Sequence, residues 1–224
     1  MYIPLKLSPY LSAWIISTIL ALSATNIAFA LKPGDPVAGQ EKSSLCQGCH
    51  GEDGMSGSGE FPRLAGQHAG YLRKQFFEFQ KKIRGNSDIM LDMSQEIPEK
   101  QDVHDIMAYF ASQKKMTGEK LDKDVSKGKN IFLNGNSETG LYGCVNCHGV
   151  DGKGKAPGNE VFPVIGGQHK EYLVKQLTEL RNASRPPSPD LVIRTNDPAG
   201  MMRNIASRLS DEEIDAVTDY LSQL

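Results

Sequence analysis

The sequence lacks an excess of charge of either sign. Its 25 Lys and Arg stand against 27 Asp and Glu, a net charge of -2 over 224 residues. That balance excludes a polybasic nucleic-acid binder. A disordered chain is excluded too, because 39% of the residues are hydrophobic. Beyond the N-terminus no run is apolar enough to span a bilayer. No convincing period-2 strand pattern occurs. There is no catalytic triad, no paired-carboxylate site and no phosphate loop. Gly152-Lys153-Gly154-Lys155 is a Gly/Lys loop without the remainder of such a motif. Cysteine is scarce, with four residues in two matching local settings.

The first thirty residues differ from the rest. Lys6 is their only charge, an apolar core runs from about Leu11 to Leu22, and Ala28-Phe29-Ala30 is a small-x-small cleavage signature. The core is short of the roughly 20 residues a span needs. The pattern is that of a secretory signal peptide over residues 1–30, cut after Ala30, with a soluble, periplasmic mature chain. An uncleaved anchor is the alternative, since the stretch before the apolar core carries a single Lys.

The remainder is a doubled unit. Cys46-Gln47-Gly48-Cys49-His50-Gly51 returns as Cys144-Val145-Asn146-Cys147-His148-Gly149, 98 residues later. Phe61-Pro62…Gly66-Gln67-His68 returns as Phe162-Pro163…Gly167-Gln168-His169 at an offset of 101. Tyr71-Leu72…Lys74-Gln75 returns as Tyr172-Leu173…Lys175-Gln176. Constant order with growing offset means two homologous domains with insertions in the second. The boundary is expected in the polar stretch Lys114–Leu121, giving domains over 31–117 and 118–224. They carry 11 basic and 12 acidic residues, and 13 and 15, so neither is a strongly charged module. The periodicity predicts helices at about 36–46, 68–83 and from Pro98 in the first half. In the second it predicts them at 122–133, 169–182 and from Ser210, with a long loop over 182–200.

Two Cys three apart share one face of a helical turn. Their thiols can add to the two vinyl groups of one haem, and a His directly after the second Cys is placed to reach the iron. This is the c-type haem attachment pattern. A Cys₄ zinc site would leave both His residues and the whole duplication unexplained. A thioredoxin-like pair wants a βαβ context, which is missing. A disulfide between helical Cys three apart is geometrically awkward. Two covalently bound haem c groups are therefore expected, on Cys46, Cys49, Cys144 and Cys147, with iron ligands His50 and His148.

The opposite ligand decides between electron transfer and catalysis, because a Met saturates the iron and raises its potential. Met90 and Met202 each lie seven residues before the apolar residue, Ile97 or Leu209, that precedes the last helix. They are the expected sulfur ligands. Counting from inside the helices pairs Met90 with Met201 instead, so Met93 and Met201 remain adjacent rivals. Met107 reads as core and Met116 as linker. His68 and His169 also repeat, and read as surface or supporting residues rather than ligands.

With both attachment motifs, both Phe-Pro…Gly-Gln steps, the Tyr-Leu-x-Lys-Gln helices and the closing Ala108–Gln113, the chain resembles the dihaem cytochrome c4 family. The resemblance covers nearly all of residues 36–224. It implies an all-α fold of two tandem, pseudo-symmetric class I cytochrome c domains, with His/Met ligation of both irons. It implies an electron carrier rather than an enzyme, working between redox protein partners and often towards a terminal oxidase, with peripheral contact to membrane complexes. Pro62, Gln67, Pro163 and Gln168 are then expected to pack the haem edge and contact propionates. The rival functions are a cytochrome subunit of a sulfur-compound dehydrogenase and, further off, a dihaem peroxidase.

Overall fold

The computed structural model describes residues 31–154 and 159–224. The signal-peptide expectation for residues 1–30 lies outside the described residues. Residues 33–224 form one compact unit. The first half runs α1 (Pro36–Lys42), α2 (Ser44–His50), α3 (Ala69–Gln80), α4 (Asp88–Met93) and α5 (Lys100–Ser112). The second runs α6 (Ser126–Asn134), α7 (Val145–His148), α8 (Lys170–Asn182), α9 (Met201–Ala206) and α10 (Asp211–Leu221). Among the described residues the only β pairing is an isolated bridge between Asn136 and Leu141.

Each half is organised by a crossing of its first and last long helices, α1 on α5 and α6 on α10. The crossings are close because glycine sits at the contact. A Cβ on Gly39 would lie 2.0 Å from the Asp105 carbonyl oxygen, and one on Gly128 1.9 Å from that of Ala216. A buried carboxylate flanks each crossing. Asp105 accepts from the Asp35 N–H at 2.9 Å, from Lys42 Nζ at 2.6 Å and from Gln101 at 3.0 Å. Asp219 takes Lys123 and Lys170. Burial alone would raise both carboxyls, but these donors outweigh it and hold them below the usual range.

Apolar side chains from each set of helices gather into one cluster per half. Phe76, Val103, Ile106 and Phe110 lie in the first, and Phe132, Leu173, Ile214 and Val217 in the second. The predicted helices are present, with shifted ends. The first breaks at Ser43, whose hydroxyl donates to the Gln40 carbonyl at 2.8 Å. α5 starts at Lys100, two residues after Pro98, because the chain stays extended through Glu99. α6 starts at Ser126 rather than 122. Ser210 and Glu213 form the reciprocal cap that opens α10. Met116, on the stretch read as a polar linker, is fully buried, its N–H donating to the Ala65 carbonyl at 3.1 Å.

Gly128→Ala should destabilise the haem-loaded protein by about 1–3 kcal/mol, because the helix axes must separate. Chemical denaturation followed by helical circular dichroism measures it. An unchanged midpoint would show that the crossing does not depend on glycine.

Candidate functional site

α2 and α7 bring their Cys-x-x-Cys-His segments to the wall of one large cavity of about 1060 Å³. Each helix ends on a glycine with positive φ, Gly51 at 82° and Gly149 at 78°, a conformation glycine adopts without strain. The turn it permits folds the following loop back over the imidazole. His50 Nδ1 bonds the Pro62 carbonyl at 2.8 Å, and His148 Nδ1 bonds that of Pro163 at 2.9 Å. A carbonyl only accepts, so Nδ1 carries the proton and Nε2 keeps its lone pair. Both rings are buried, and burial holds them neutral against the opposing pull of those carbonyls. Phe61 and Phe162 meet the same rings edge-on, each at 6.3 Å between centroids. Burial also pushes the Cys46 and Cys144 thiols up to about 11.

The Met residues reach the cavity on two short helices, α4 and α9, where the sequence showed only loop. Met90, Met93, Met201 and Met202 all line it. Within each pair one sulfur is sheltered. Met90 is half-buried and packs on the first apolar cluster, whereas Met93 is exposed. Met202 is half-buried and Met201 exposed.

Gln67 and Gln168 also bridge the two halves. Gln67 donates to the Val164 carbonyl at 2.8 Å and accepts from the Val164 N–H at 2.9 Å. Gln168 donates to the Arg63 carbonyl at 3.0 Å and accepts from the Arg63 N–H at 2.9 Å. Each amide thus bonds the backbone of the opposite half through both its oxygen and its nitrogen, and both side chains also line the cavity. The Pro62 and Pro163 carbonyls, by contrast, orient the His rings. His169 Nε2 bonds the Ser56 carbonyl across the same seam at 2.8 Å, and so buttresses the joint.

Two buried guanidiniums at the cavity are residues that sequence reasoning missed. Arg84 and Arg194 are both buried and both line the cavity. Arg84 donates to Gln75 at 2.7 Å, Gln176 at 3.0 Å, Asn86 at 2.9 Å and the Tyr172 hydroxyl at 3.2 Å. Arg194 mirrors it, donating to Gln176 at 2.8 Å, Gln75 at 3.1 Å, Asn196 at 2.8 Å and the Tyr71 hydroxyl at 3.3 Å. Neither guanidinium pairs with a carboxylate among the described residues. The nearby Glu78 and Glu179 are taken by Lys74 and Lys175. The positive field is strong enough that the Tyr71 hydroxyl, which burial alone would raise, is held below its usual range by Arg194 and Arg84. The signal for this pair was present: Arg84-x-Asn86 repeats as Arg194-x-Asn196 at an offset of 110.

A haem fits these features. The cavity is walled by apolar clusters, each half offers two Cys, one imidazole with a free nitrogen and a sheltered sulfur, and two buried cations call for anions. Gln67→Ala should cost about 1–3 kcal/mol, because it leaves the buried Val164 N–H and carbonyl unpaired. Gln168→Ala should cost less, since Arg63 is less buried. Equilibrium unfolding of both variants checks this, and equal near-zero effects would contradict the clamp.

The comparisons with known proteins agree with this geometry. A sequence model of the cytochrome c family matches residues 37–114 and 125–224. A cytochrome c4 from Pseudomonas aeruginosa is 37% identical over 94% of this chain and 98% of its own. A thiosulfate dehydrogenase electron acceptor from Stutzerimonas stutzeri is 33% identical over 80% of this chain and 78% of its own. Among solved structures, reduced cytochrome c4 from Pseudomonas stutzeri superposes with a TM-score of 0.72 at 35% identity, covering 85% of this chain and 99% of that one.

Proposed function

The chain belongs to the cytochrome c4 family of tandem cytochromes c, electron-transfer proteins with two covalent haem c groups, and on that premise we propose how its residues hold and use them. Cys46 with Cys49 and Cys144 with Cys147 form the thioethers. His50 and His148 give nitrogen to the irons, and Met90 and Met202 give sulfur. The observation that carries this assignment is the single cavity lined by both Cys-x-x-Cys-His segments, with one sheltered Met per half.

The haem iron supplies a one-electron couple between ferric and ferrous states. The residues around it set the terms of that exchange. The Pro62 and Pro163 carbonyls fix each imidazole and raise its donor strength. The apolar clusters keep water out, which together with a sulfur ligand holds the potential high. Arg84 and Arg194 neutralise the propionates and anchor them between the halves. With Met90 and Met202 on the irons no position would stay open, which supports a carrier exchanging electrons with redox partners rather than a peroxidase.

We further read the domains as 31–117 and 118–224, each with its own redox centre, after a signal peptide cut behind Ala30. Among the described residues no helix is long and apolar enough to cross a membrane. The signal-peptide pattern and the cytochrome c4 relatives support a periplasmic protein passing electrons between respiratory complexes and a terminal oxidase, in peripheral contact with membrane complexes. The relative named as an electron acceptor of thiosulfate dehydrogenase supports a second reading, in which a sulfur-oxidising enzyme is the donor. Stoichiometric co-purification with such an enzyme distinguishes it.

Met90→Ala and Met202→Ala test the sulfur assignment one haem at a time. Each should abolish the iron–sulfur charge-transfer band of one haem and lower its midpoint in an optical and magnetic redox titration, leaving the other unchanged. An unaltered spectrum in Met90→Ala would move that ligand to Met93, and in Met202→Ala to Met201.

A further inference from the structure

Each half carries its Met on a strap between two fixed points. The first strap leaves the seam at Asn86 and joins the first apolar cluster at Ile97. The second leaves the seam at Asn196 and joins the second cluster at Leu209. Both are tied at matching places, but by unlike chemistry. At the start, the repeat of Arg84-x-Asn86 as Arg194-x-Asn196 sets Ser87 against Asp197. The Ser87 hydroxyl accepts from the Met90 N–H at 3.4 Å, a neutral cap on α4. The Asp197 carboxylate accepts from the Arg203 N–H at 3.0 Å and pairs with the Arg203 guanidinium at 2.7 Å. At the far end, Gln75 aligned with Gln176 sets Gln80 against Arg181, in the last turns of α3 and α8. Gln80 Nε2 donates to the Ser94 carbonyl at 2.8 Å and to the Ile97 carbonyl at 2.9 Å. Both its N–H bonds are spent across the turn that closes α4, one helical turn beyond Met90. Arg181 donates to the Leu209 carbonyl at 3.0 Å and to the Asp211 carboxylate. Its Nε is buried without a partner, so it grips one strap carbonyl where Gln80 grips two. Asp211 is 84% exposed, which opens that ion pair to water and salt.

We propose that Gln80 and Arg181 are positioning residues that keep the two sulfur ligands on their irons, by a neutral clip in the first half and a charged, salt-dependent clip in the second. Neither residue lines the cavity, so each acts through the strap and not on the cofactor. A sulfur leaves its iron when the short helix that carries it swings away, and the clip resists that swing. The Gln80 amide bonds are neutral and indifferent to ionic strength. The Arg181–Asp211 and Arg203–Asp197 pairs weaken as salt screens them, the exposed one most. The second-half iron is therefore the one that exchanges its sulfur first for an external nitrogen ligand. This rests on the Met90 and Met202 assignment above and adds the residues that enforce it.

The test uses the ferric holoprotein titrated with imidazole, which displaces a sulfur ligand and removes its charge-transfer band. Met90→Ala and Met202→Ala first show that each removes one band; if neither does, the sulfur assignment falls and this inference with it. In the Met202→Ala protein, where the Met90 band alone remains, Gln80→Leu should lower the half-displacing imidazole concentration about tenfold. In the Met90→Ala protein, Arg181→Leu should do the same to the Met202 band, by about tenfold. Raising the ionic strength from roughly 0.01 to 0.5 M should lower the Met202 midpoint about twofold and leave the Met90 midpoint in place. Asp211→Asn should bring the low-salt Met202 midpoint down to its high-salt value. Should a leucine variant lose haem, the salt comparison decides, because it needs no substitution at either clip. Midpoints unmoved by Gln80→Leu and Arg181→Leu, or a salt response equal for both bands, would overturn the proposal while leaving the sulfur assignment intact.

Discussion

Each half packs an apolar cluster of its own but leaves one side of it on a shared cavity, and the rest of the structure follows from that constraint. Phe76, Ile97, Met107 and Phe110 in one half, and Leu173, Leu209, Val217 and Leu221 in the other, pack within their clusters and also line that space. Were even a third of its 1060 Å³ left as void, the cost would be about 8 kcal/mol. That is comparable to the whole stability of an ordinary domain, about 5–15 kcal/mol. A large flat cofactor on each side removes the deficit. Domains of roughly ninety residues, which bury little surface by themselves, can then fold around it.

The same constraint explains the seam between the halves. Two haems held in one space would bring their carboxylates with them, and the protein holds a pair of buried guanidiniums, Arg84 and Arg194, at that cavity to meet them. Gln75 and Gln176 each accept from both Arg84 and Arg194, so each half supplies one cation and shares the partner's acceptor. Outside this polar centre, Gln67 and Gln168 stitch backbone to side chain in both directions. Lys74 and Lys175 reach across to the Asn196 and Asn86 carbonyls at 2.7 and 2.8 Å. Nearly every one of these bonds has a counterpart related by the duplication. The joint is therefore a designed surface of the pair, and it fixes the two redox centres in one frame.

Much of this was legible in the sequence. The attachment motifs, the duplication and the long helices are written in spacings that a helix or a haem imposes directly, so Cys46, His50 and their counterparts could be picked out by eye. The residues whose part was not legible are those whose role depends on the other half. Gln67 and Gln168 repeat conspicuously, but a repeat does not tell which surface a side chain serves, and cross-half backbone bonds leave no local pattern. Arg84 and Arg194 also repeat, yet a lone Arg in a loop reads as solvent-facing until its neighbours are known. The helices α4 and α9 are too short for a periodic signal, so spacing alone chose Met90 and Met202, and the greater exposure of Met93 and Met201 supports that choice.

The claim beneath all of this is that two haems are bonded covalently to one polypeptide and complete its two cores. Intact-mass spectrometry of the exported, matured protein after acid-acetone extraction tests it most directly. The account predicts the mass of the chain plus two haem groups, both retained through extraction. A mass short of two haems, with the protein still folded, would contradict it.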